Sequence, residues 1–384
     1  MSSPAAPVAP ALKKTALNAT HRALKAKMVD FGGWDMPVEY PGNGGGLIAE
    51  HMAVRTAVGL FDVSHMGEIQ FRGRGSLAAV QRITMNDASK LKDGQAHYSA
   101  LLTPEGAFVD DILVHRLGEN DYLLVVNAGT KDKDYDWIRK QVGGFPGIHL
   151  ADYSSYYSQL AVQGPRAQET LEKLTKTNLS AIKNYWFTWG QVAGVNNVLI
   201  ARTGYSGEDG FEVYIPSDEA TSEKVWNALM DAGAAYGIRA CGLGARNTLR
   251  LEAGMSLYGH EISEEINVLE AGLERWLKLD KGDFIGREAL AKVQAEGGPK
   301  RKVVGLEMVE RGIGRDGYAV YSLEGEQIGQ ITSGSPAPFL KTNIAMALVP
   351  TAVAASGMDL LVDVRGNRVR AKQVPLPFYK RAKK

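Results

Sequence analysis

The sequence predicts an α+β protein that is built on antiparallel sheets and ends in a β domain. Three strand-like runs follow one another with only turn residues between them, which is typical of an antiparallel meander. These runs are Tyr98–Leu102, Ala107–Leu117 and Tyr122–Val126. After the break at Gly297, Gly298 and Pro299, short strands and turns continue to the C-terminus. A length of 384 residues allows two or three domains.

A hairpin and several helices occupy much of the remaining sequence. Val198–Thr203 and Phe211–Ile215 flank the glycine-bearing turn Gly204–Gly210 and are expected to pair. Apolar spacing, with proline or glycine near the ends, predicts helices. They cover Thr20–Met28, Leu47–Val58, Lys131–Val142, Gly164–Leu174, Glu219–Ala232, Gly242–Ala253 and Arg287–Ala295. Because short turns join strand to strand, we expect antiparallel sheets rather than a parallel doubly wound sheet.

The composition is that of a globular protein without a strong charge bias. Hydrophobic residues make up 45% and charged residues 23%, and 44 basic against 43 acidic side chains leave a formal net charge of +1. No overall field therefore recruits nucleic acid or an anionic membrane. The uncharged run Thr342–Gly357 contains Pro350 and is too short to cross a bilayer. We expect neither a nucleic-acid partner nor a membrane partner.

Cysteine and histidine usage argues against a metal site. Cys241 is the only cysteine, so the chain can form neither an intrachain disulfide nor a multi-thiolate metal site. The histidines show no HExxH or similar ligand spacing, and we expect no metal. His65 follows a serine in DVSHM, and such a lone histidine is expected to be structural rather than catalytic.

The N-terminal segment is basic and has no acid before Asp30. Such a start can belong to an organelle transit peptide. Its single arginine and the prolines at positions 4, 7 and 10 instead favour a short disordered tail, residues 1–12, that leads into the first helix. We therefore expect a cytoplasmic protein, with the mitochondrial matrix as the alternative if the segment is a transit peptide.

Asp110 and Asp111 lie side by side in a strand whose other residues are apolar. Successive side chains of a strand point to opposite faces, so the two carboxylates are not expected to share one pocket. One could cap a turn or pair with an arginine. The other, if desolvated, would have a pKa above the ordinary value of about 3.9 and could handle a proton. The residues alone favour the structural interpretation and leave the catalytic one open.

Two further stretches place charged residues within apolar sequence. They read ARTGYSGEDGFEVYIP (Ala201–Pro216) and GLGARNTLRLEAGMSLYGHEI (Gly242–Ile262). An unpaired buried charge is costly, so Glu212 and Arg246 are candidates for a functional site. A solvated, outward-facing carboxylate is the ordinary alternative for Glu212.

The charged neighbours of these two candidates have simpler interpretations. Glu208 and Asp209 lie in the turn of the hairpin and are expected to face solvent. Arg250 follows Arg246 by four positions and lies on the same side of a helix. We expect Arg250 to be a structural ion-pair partner of Glu252 or of a distant acid.

These stretches, together with several others in the same order, resemble the aminomethyltransferase (T-protein) family of the glycine cleavage system. The resemblance covers nearly the whole chain after the first dozen residues. The other phrases are MVDFGGWDMPVEY (Met28–Tyr40), GLFDVSHMGE (Gly59–Glu68), GAFVDDILV (Gly106–Val114), LEAGLERWLKLDKGDFIGREAL (Leu269–Leu290), GQITSG (Gly329–Gly334) and LPFYKR (Leu376–Arg381).

The resemblance implies three domains around a central folate pocket. Residues 13–70 with 154–256 would form a first, discontinuous α+β domain. Residues 71–153 with 257–298 would form a second, ferredoxin-like α+β domain. Residues 299–384 would form a C-terminal β domain that resembles a barrel or a jelly roll.

The same resemblance implies an activity. The chain would transfer the one-carbon unit from an aminomethyl group on the lipoyl arm of H-protein to tetrahydrofolate, with release of ammonia. Tetrahydrofolate would be a co-substrate, and lipoylated H-protein a transient partner. The alternatives are a related folate-dependent demethylase and a non-catalytic folate-binding protein. The KGCYxGQE-like signature of the non-catalytic relatives is absent from this sequence.

Several residues of this chain stand at positions that match functional residues of the family. Asp111 would be the catalytic residue and would hydrogen-bond or protonate a folate nitrogen and the departing amine. Glu212 would accept two hydrogen bonds from the pterin edge, and Arg246 would bind a carbonyl or carboxylate. The residues expected to form the walls are Met66, Tyr98, Asn127 and Tyr205. Asn247 and Ala337 depart from the family pattern, and Asn247 removes a charge beside Arg246.

Overall fold

The computed structural model describes residues 11–42 and 44–382. Residues 1–10 of the predicted tail, and with them the transit-peptide question, lie outside the described part.

The described part contains nineteen strands and eight α-helices. The strands are β1 (Lys27–Phe31), β2 (Trp34–Glu39), β3 (Gly59–Asp62), β4 (Gly67–Arg72), β5 (Gln95–Leu102), β6 (Phe108–Gly118), β7 (Asp121–Val126), β8 (His149–Asp152), β9 (Tyr157–Gln163), β10 (Phe187–Val192), β11 (Val195–Ala201), β12 (Gly210–Pro216), β13 (Arg239–Cys241), β14 (Arg301–Met308), β15 (Ala319–Tyr321), β16 (Gln327–Ala337), β17 (Thr342–Pro350), β18 (Asp359–Val364) and β19 (Asn367–Val374). The helices are α1 (Asn18–Ala23), α2 (Leu47–Thr56), α3 (Ser76–Ile83), α4 (Lys131–Val142), α5 (Ala167–Glu172), α6 (Glu219–Gly233), α7 (Leu243–Glu252) and α8 (Arg287–Ala295).

The first sheet has six strands in the order β10-β11-β12-β9-β3-β13. Its neighbours are antiparallel except for β13, which lies parallel to β3. Helices α5 and α6 pack on one face, where Trp226 is among the buried side chains. Phe211, Val213 and Ile215 of β12 belong to this helix-side core. Because side chains alternate along a strand, Glu212 and its neighbours two residues away point to the other face.

The second sheet has five antiparallel strands in the order β5-β6-β7-β4-β8. Helices α3 and α4 cover one face and contribute Val80 and Ile138 to its core. With β5 as an additional edge strand, the elements β4-α3-β6-β7-α4-β8 form the β-α-β-β-α-β arrangement of ferredoxin-like folds. The predicted antiparallel meander is confirmed by the pairing of β5, β6 and β7.

The face of the first sheet opposite α5 and α6 is directed toward the face of the second sheet opposite α3 and α4. Helices α2 and α7 cover the β3–β13 part of this inner face of the first sheet. A shared buried cluster contains Ala96 and Val125 from the second sheet and Phe187, Leu199 and Tyr214 from the first. The layers are therefore helices, sheet, sheet and helices. Polar side chains on the inner faces of β6 and β12 consequently point between the sheets.

The C-terminal strands close into a barrel in the order β14-β17-β16-β15-β18-β19. Strand β14 pairs with both β17 and β19, which completes the closure. Leu306, Ile331 and Val362 are buried inside. The predicted α+β class with a C-terminal β domain is confirmed. The predicted boundary after residue 70 falls inside β4, and the whole of β4 belongs to the second sheet.

The helix predicted over Thr20–Met28 is wrong in its position. The structure has α1 at Asn18–Ala23, and β1 already begins at Lys27. Lys25, between them, has a φ of 56°. This left-handed backbone ends the helix. The sequence did not show the boundary because Lys25 is not a glycine or an asparagine, the residues that usually mark such an end.

A buried hydrogen-bonded acid fixes α1 on the first sheet. Asp62 of β3 accepts a hydrogen bond from the Thr15 hydroxyl at 2.7 Å and lies 2.9 Å from His21 Nε2. His21 Nδ1 lies 2.9 Å from the Tyr40 hydroxyl. Burial acts to raise the pKa of Asp62, but the hydrogen bond and charge of His21 outweigh it, and the pKa is lowered to about 2.

We predict that Asp62→Asn lowers the free energy of unfolding by about 3 kcal/mol, because removing one partner of a buried pair leaves the other uncompensated. The folded-state pKa is lowered, so the stabilisation is complete above the unfolded pKa of about 4 and is lost as the pH falls toward about 2. Urea unfolding at about pH 7 and about pH 3 measures both effects. Asp136→Asn, at a side chain that is 70% exposed, is the control. Equal losses in the two variants would contradict the prediction.

Candidate functional site

A cavity of about 620 Å³ lies between the two sheets. The inner faces of the sheets, helix α7, the segment 253–258 with 271–276, and strands β14 and β19 of the barrel bound it. Every residue that was predicted to bind or convert a ligand lines this cavity. These residues are Met66, Tyr98, Asp111, Asn127, Tyr205, Glu212 and Arg246. The structure thus brings together side chains that are far apart in sequence.

Asp111 faces the cavity from β6 beside Asn127, which directly follows β7. Asn127 Nδ2 donates to Asp111 Oδ1 at 2.8 Å and to Asp110 Oδ1 at 2.9 Å. Asp110 is fully buried, and its Oδ2 accepts a hydrogen bond from the Thr130 hydroxyl at 2.9 Å. Thr130 precedes α4, which lies on the helix-covered face of the sheet. The two carboxylates therefore occupy separate environments, and Asn127 links them.

The environment of Asp111 favours a protonated carboxyl group. Burial raises the pKa of Asp111 above its ordinary value, and the charge of Asp110 raises it further. Asn127 and the Tyr98 hydroxyl act in the opposite direction without cancelling these effects. An aspartate in this environment keeps its proton to a higher pH than a solvated one, so it can exchange a proton with a ligand.

Glu212 faces the cavity from β12 and is not the solvated carboxylate that is ordinary for a strand glutamate. The residue is only 9% exposed. Its Oε1 accepts a hydrogen bond from Gln159 Nε2 at 3.2 Å, and its Oε2 accepts one from the Thr203 hydroxyl. Burial raises the pKa of Glu212, while Thr203 and the charge of Arg246 oppose the shift. Each carboxylate oxygen has a second acceptor site, so a ligand can still donate two hydrogen bonds.

Arg246 projects from α7 into the cavity and stacks on Tyr205. Its Cζ lies 4.5 Å from the centre of the Tyr205 ring. The Tyr205 hydroxyl donates to the carbonyl of Ser256, which fixes the ring from the other end. Within the described ranges, no carboxylate lies within the 4.0 Å ion-pair distance of Arg246. The guanidinium is therefore a positive group that a ligand can use.

Arg55 holds both α7 and the turn that carries Tyr205, and sequence reasoning did not find it. Its side chain is fully buried, and its Nε donates to Glu252 Oε2 at 2.9 Å. Its Nη1 donates to the carbonyl of Ser206 at 2.8 Å and to Glu208 at 2.9 Å. Because Glu208 is paired here and its side chain is only 6% exposed, the prediction that it faces solvent is wrong. An arginine inside a helix gives no sequence signal of such contacts.

The C-terminal segment extends the same network. The backbone N–H of Tyr379 donates to the carbonyl of Glu252 at 2.7 Å, and the Tyr379 ring lies 4.0 Å from Arg55 Cζ. Arg381 pairs with Asp209 at 3.4 Å. Arg202 also binds Asp209, at 2.6 Å, so the prediction that Asp209 faces solvent is wrong.

Two further aromatic side chains extend the cavity wall beyond Tyr98. The ring centres of Tyr98 and Trp276 are 5.6 Å apart, and those of Tyr185 and Trp276 are 6.2 Å apart. Both additional residues line the cavity. Sequence reasoning missed them because an aromatic residue in a loop looks the same whether it packs in a core or against a ligand site.

Several other candidates have structural roles. Arg250 Nη1 pairs with Glu261 at 2.9 Å, which confirms the expectation of a distant acid. Asn247 Oδ1 accepts a hydrogen bond from Arg250 Nε at 2.9 Å, and Ala337 packs in a buried core. His65 is fully buried and does not line the cavity, and burial lowers its pKa to about 3.

The described residues contain neither a cluster of metal ligands nor a helix suited to a bilayer. No group of three or more His, Cys, Asp or Glu side chains in residues 11–42 and 44–382 is placed to hold a metal ion. Over the same part of the chain, no helix has the length and apolar character needed to cross a bilayer.

We predict that Arg55→Gln lowers the free energy of unfolding by about 3 kcal/mol, since it removes the guanidinium from the buried carboxylates of Glu252 and Glu208. Amide hydrogen exchange should accelerate in 204–210 and 243–252, the two segments that Arg55 joins. Arg166→Gln is the matched control, because Arg166 is 54% exposed and pairs with Glu169 on the surface. It should cost less than about 1 kcal/mol. Unchanged exchange in both segments of Arg55→Gln would contradict the prediction.

Comparison with known proteins places this architecture in one family. The GCVT N-terminal domain matches residues 17–281, and the glycine cleavage T-protein C-terminal barrel domain matches residues 301–380. An aminomethyltransferase of Acidobacterium capsulatum is 66% identical over 374 residues, which cover 97% of this chain and 98% of that protein. An aminomethyltransferase of Koribacter versatilis is 59% identical over 98% of this chain and 99% of its own length.

A solved structure agrees with the whole arrangement. The crystal structure of glycine cleavage system aminomethyltransferase T from Bartonella henselae superimposes with a TM-score of 0.89 at 31% identity. The match covers 96% of this chain and 98% of that chain, and so includes both sheets and the barrel. The chain belongs to the T-protein family of glycine cleavage system aminomethyltransferases.

Proposed function

We propose that the chain is the aminomethyltransferase of a glycine cleavage system. It transfers the one-carbon unit of an aminomethyl group, carried on the lipoyl arm of H-protein, to tetrahydrofolate and releases ammonia. Family membership supports this reaction. Within this chain, the main support for the reaction is the cavity between the sheets. Its walls contain the proton-handling Asp111 and the hydrogen-bond acceptor Glu212.

The cavity fits a reduced folate. Its volume of about 620 Å³ lies within the usual range for small-molecule sites. The two oxygens of Glu212 match the adjacent N–H donors of a pterin edge, and Arg246 offers donors for a carbonyl or carboxylate. Apolar and aromatic side chains provide surface for a flat ring. They include Phe61, Val63, Met66, Tyr98 and Tyr205.

When bound, tetrahydrofolate supplies the amine nitrogen that accepts the one-carbon unit. Asp111 holds a proton in the cavity, since burial and the charge of Asp110 favour its neutral form. Asn127 fixes Asp111 Oδ1 at 2.8 Å, so the carboxyl group is oriented before a ligand arrives. Asp111 thus gives a proton to the departing amine, and Tyr98 lies beside it in the cavity wall.

Lipoylated H-protein brings the aminomethyl group to this site. A flexible arm lets the carrier protein stay at the surface, so a modest interface is sufficient. Release of ammonia and formation of methylenetetrahydrofolate from aminomethylated H-protein, with and without tetrahydrofolate, tests the proposal. We expect both products and a strong dependence on tetrahydrofolate. Turnover of a small methylated donor alone would indicate the demethylase, and folate binding without product would indicate the non-catalytic protein.

We predict that Asp111→Asn lowers kcat by about 100-fold or more, the usual contribution of a general acid. The wild-type kcat should fall as the pH rises through the raised pKa of Asp111, because the carboxyl group loses its proton. This fall in kcat at high pH, the alkaline limb of the pH profile, should be absent from the variant. Steady-state kinetics across pH measures both effects, and a variant that turns over at the wild-type rate would remove Asp111 from the mechanism.

We predict that Glu212→Gln raises KM for tetrahydrofolate by roughly 10-fold or more, since a charged acceptor is replaced by an amide that also presents a donor. The kcat at saturation should change far less, because Glu212 is assigned to binding. The matched control is Glu219→Gln, an exposed position at the start of α6. If KM rises no more in Glu212→Gln than in this control, Glu212 does not bind the folate.

A further inference from the structure

Asp110 does not line the cavity. Its carboxylate nevertheless accepts two hydrogen bonds from Asn127, whereas the carboxylate of Asp111 accepts one. Asp110 Oδ2 accepts from the backbone N–H of Asn127 at 3.0 Å, and its Oδ1 accepts from Asn127 Nδ2 at 2.9 Å. The Thr130 hydroxyl donates to the same Oδ2 at 2.9 Å. These donors stabilise an ionised Asp110 even though the residue is fully buried.

Asn127 transmits this arrangement to the cavity. The two hydrogens of its Nδ2 are shared between Asp110 Oδ1 at 2.9 Å and Asp111 Oδ1 at 2.8 Å. The remaining Nδ2 contact, to the Asp111 carbonyl, is longer at 3.3 Å. Because Asp110 holds both the backbone and the amide of Asn127, the amide cannot rotate away from Asp111 without losing bonds to Asp110.

Asp134 of α4 lies behind Asp110 and has no ordinary hydrogen-bond partner. Asp134 is fully buried, and neither of its carboxyl oxygens accepts a hydrogen bond from a donor among the described residues. The Thr130 hydroxyl is already directed to Asp110. Lys133 is directed elsewhere, to the carbonyl of Val109 at 2.6 Å. A buried carboxylate without donors or a cation is very costly, so Asp134 must be neutral.

Asp110 is the group that can accept a hydrogen bond from the neutral carboxyl group of Asp134. Thr130 lies one helical turn before Asp134 and donates its hydroxyl to Asp110 at 2.9 Å, and side chains four positions apart on a helix lie on the same face, so the Asp134 carboxyl group is directed toward Asp110. Two adjacent carboxyl groups share one proton, because both cannot ionise in a buried site. The proton resides on Asp134, since Asp110 already has the donors that favour its ionised form.

We propose that Asp110 and Asp134 form a buried acid pair that positions Asp111 through Asn127, with Asp134 as the neutral member and Asp110 as the charged one. The inference rests on the proposed function of Asp111. Asp110 fixes Asn127, and its negative charge behind the sheet helps Asp111 to keep the proton that the departing amine receives. The pair is a positioning device, because neither member touches the cavity.

The other charged and titratable groups around the pair do not change this assignment. Lys133 lies on α4 beside Asp134, but its Nζ is held by the Tyr258 hydroxyl at 2.8 Å and by Glu264 at 3.1 Å. Asp111 is the other acid of β6, the strand that carries Asp110. The raised pKa of Asp134, caused by burial and then by the charge of Asp110, agrees with a neutral side chain.

Infrared difference spectroscopy of the whole protein tests the acid pair without reference to activity. The wild type minus Asp134→Asn spectrum at neutral pH should contain the carbonyl stretch of a buried neutral carboxylic acid. Asp136→Asn, an exposed position on the same helix, should show only a carboxylate change. A carboxylate band and no acid band in the Asp134→Asn difference would overturn the pair.

Kinetics test the positioning role. Asp134→Asn keeps a donor to Asp110 and should retain kcat within about twofold, whereas Asp110→Asn disturbs Asn127 and should lower kcat by up to about 100-fold. KM for tetrahydrofolate should stay within about twofold in Asp134→Asn and should change less than kcat in Asp110→Asn, because Glu212 is untouched. The alkaline limb of the pH profile should move to lower pH in Asp110→Asn, since the negative charge behind Asp111 is removed.

A pH profile in Asp110→Asn that coincides with the wild-type profile would overturn the role of its charge, and an unchanged kcat would overturn its positioning role. Thermal unfolding of each variant separates these results from misfolding, and if Asp110→Asn does not fold, the infrared experiment on Asp134→Asn still decides the acid pair. Absence of aminomethyl transfer in the wild type would instead refute the proposed function and leave the infrared result valid.

Discussion

The buried guanidinium of Arg55 joins the parts of the chain that enclose the cavity. It binds Glu252 of α7 and Glu208 of the β11–β12 turn, and the ring of Tyr379 lies 4.0 Å from its Cζ. A fully buried charge is tolerated only when it is paired and its donors are satisfied, so these three segments must be in place together. Arg246 and Tyr205 reach the cavity from two of them. The ligand-facing surface on this side therefore depends on a residue that no ligand touches.

The other walls follow from side-chain alternation on two sheets that face each other. Along β12, Phe211 and Val213 pack under the helices, and Glu212 between them is directed to the inner face. Along β6, Asp111 lines the cavity while Asp110 enters the helix layer. The acceptor for a ligand and the proton donor thus come from different sheets, and the packing between those sheets sets their separation.

Local pattern was sufficient for much of the fold. The helices predicted at Lys131–Val142 and Arg287–Ala295 have the observed bounds, because apolar spacing and flanking glycine or turn residues agree there. The β1 region was misassigned because the left-handed Lys25 left no sequence signal. In the site, the resemblance to a family supplied the residues that line the cavity, whereas burial of Glu208 and the contacts of Arg55 arise only from tertiary packing. No local pattern distinguishes those two from surface residues.

A crystal structure of the protein with bound tetrahydrofolate would test the central claim most directly. We predict that the pterin edge donates hydrogen bonds to Glu212 and that Arg246 contacts the ligand. The folate nitrogen that accepts the one-carbon unit should face Asp111. Folate bound outside the cavity between the sheets, or bound inside it with the pterin edge directed away from Glu212, would contradict the account.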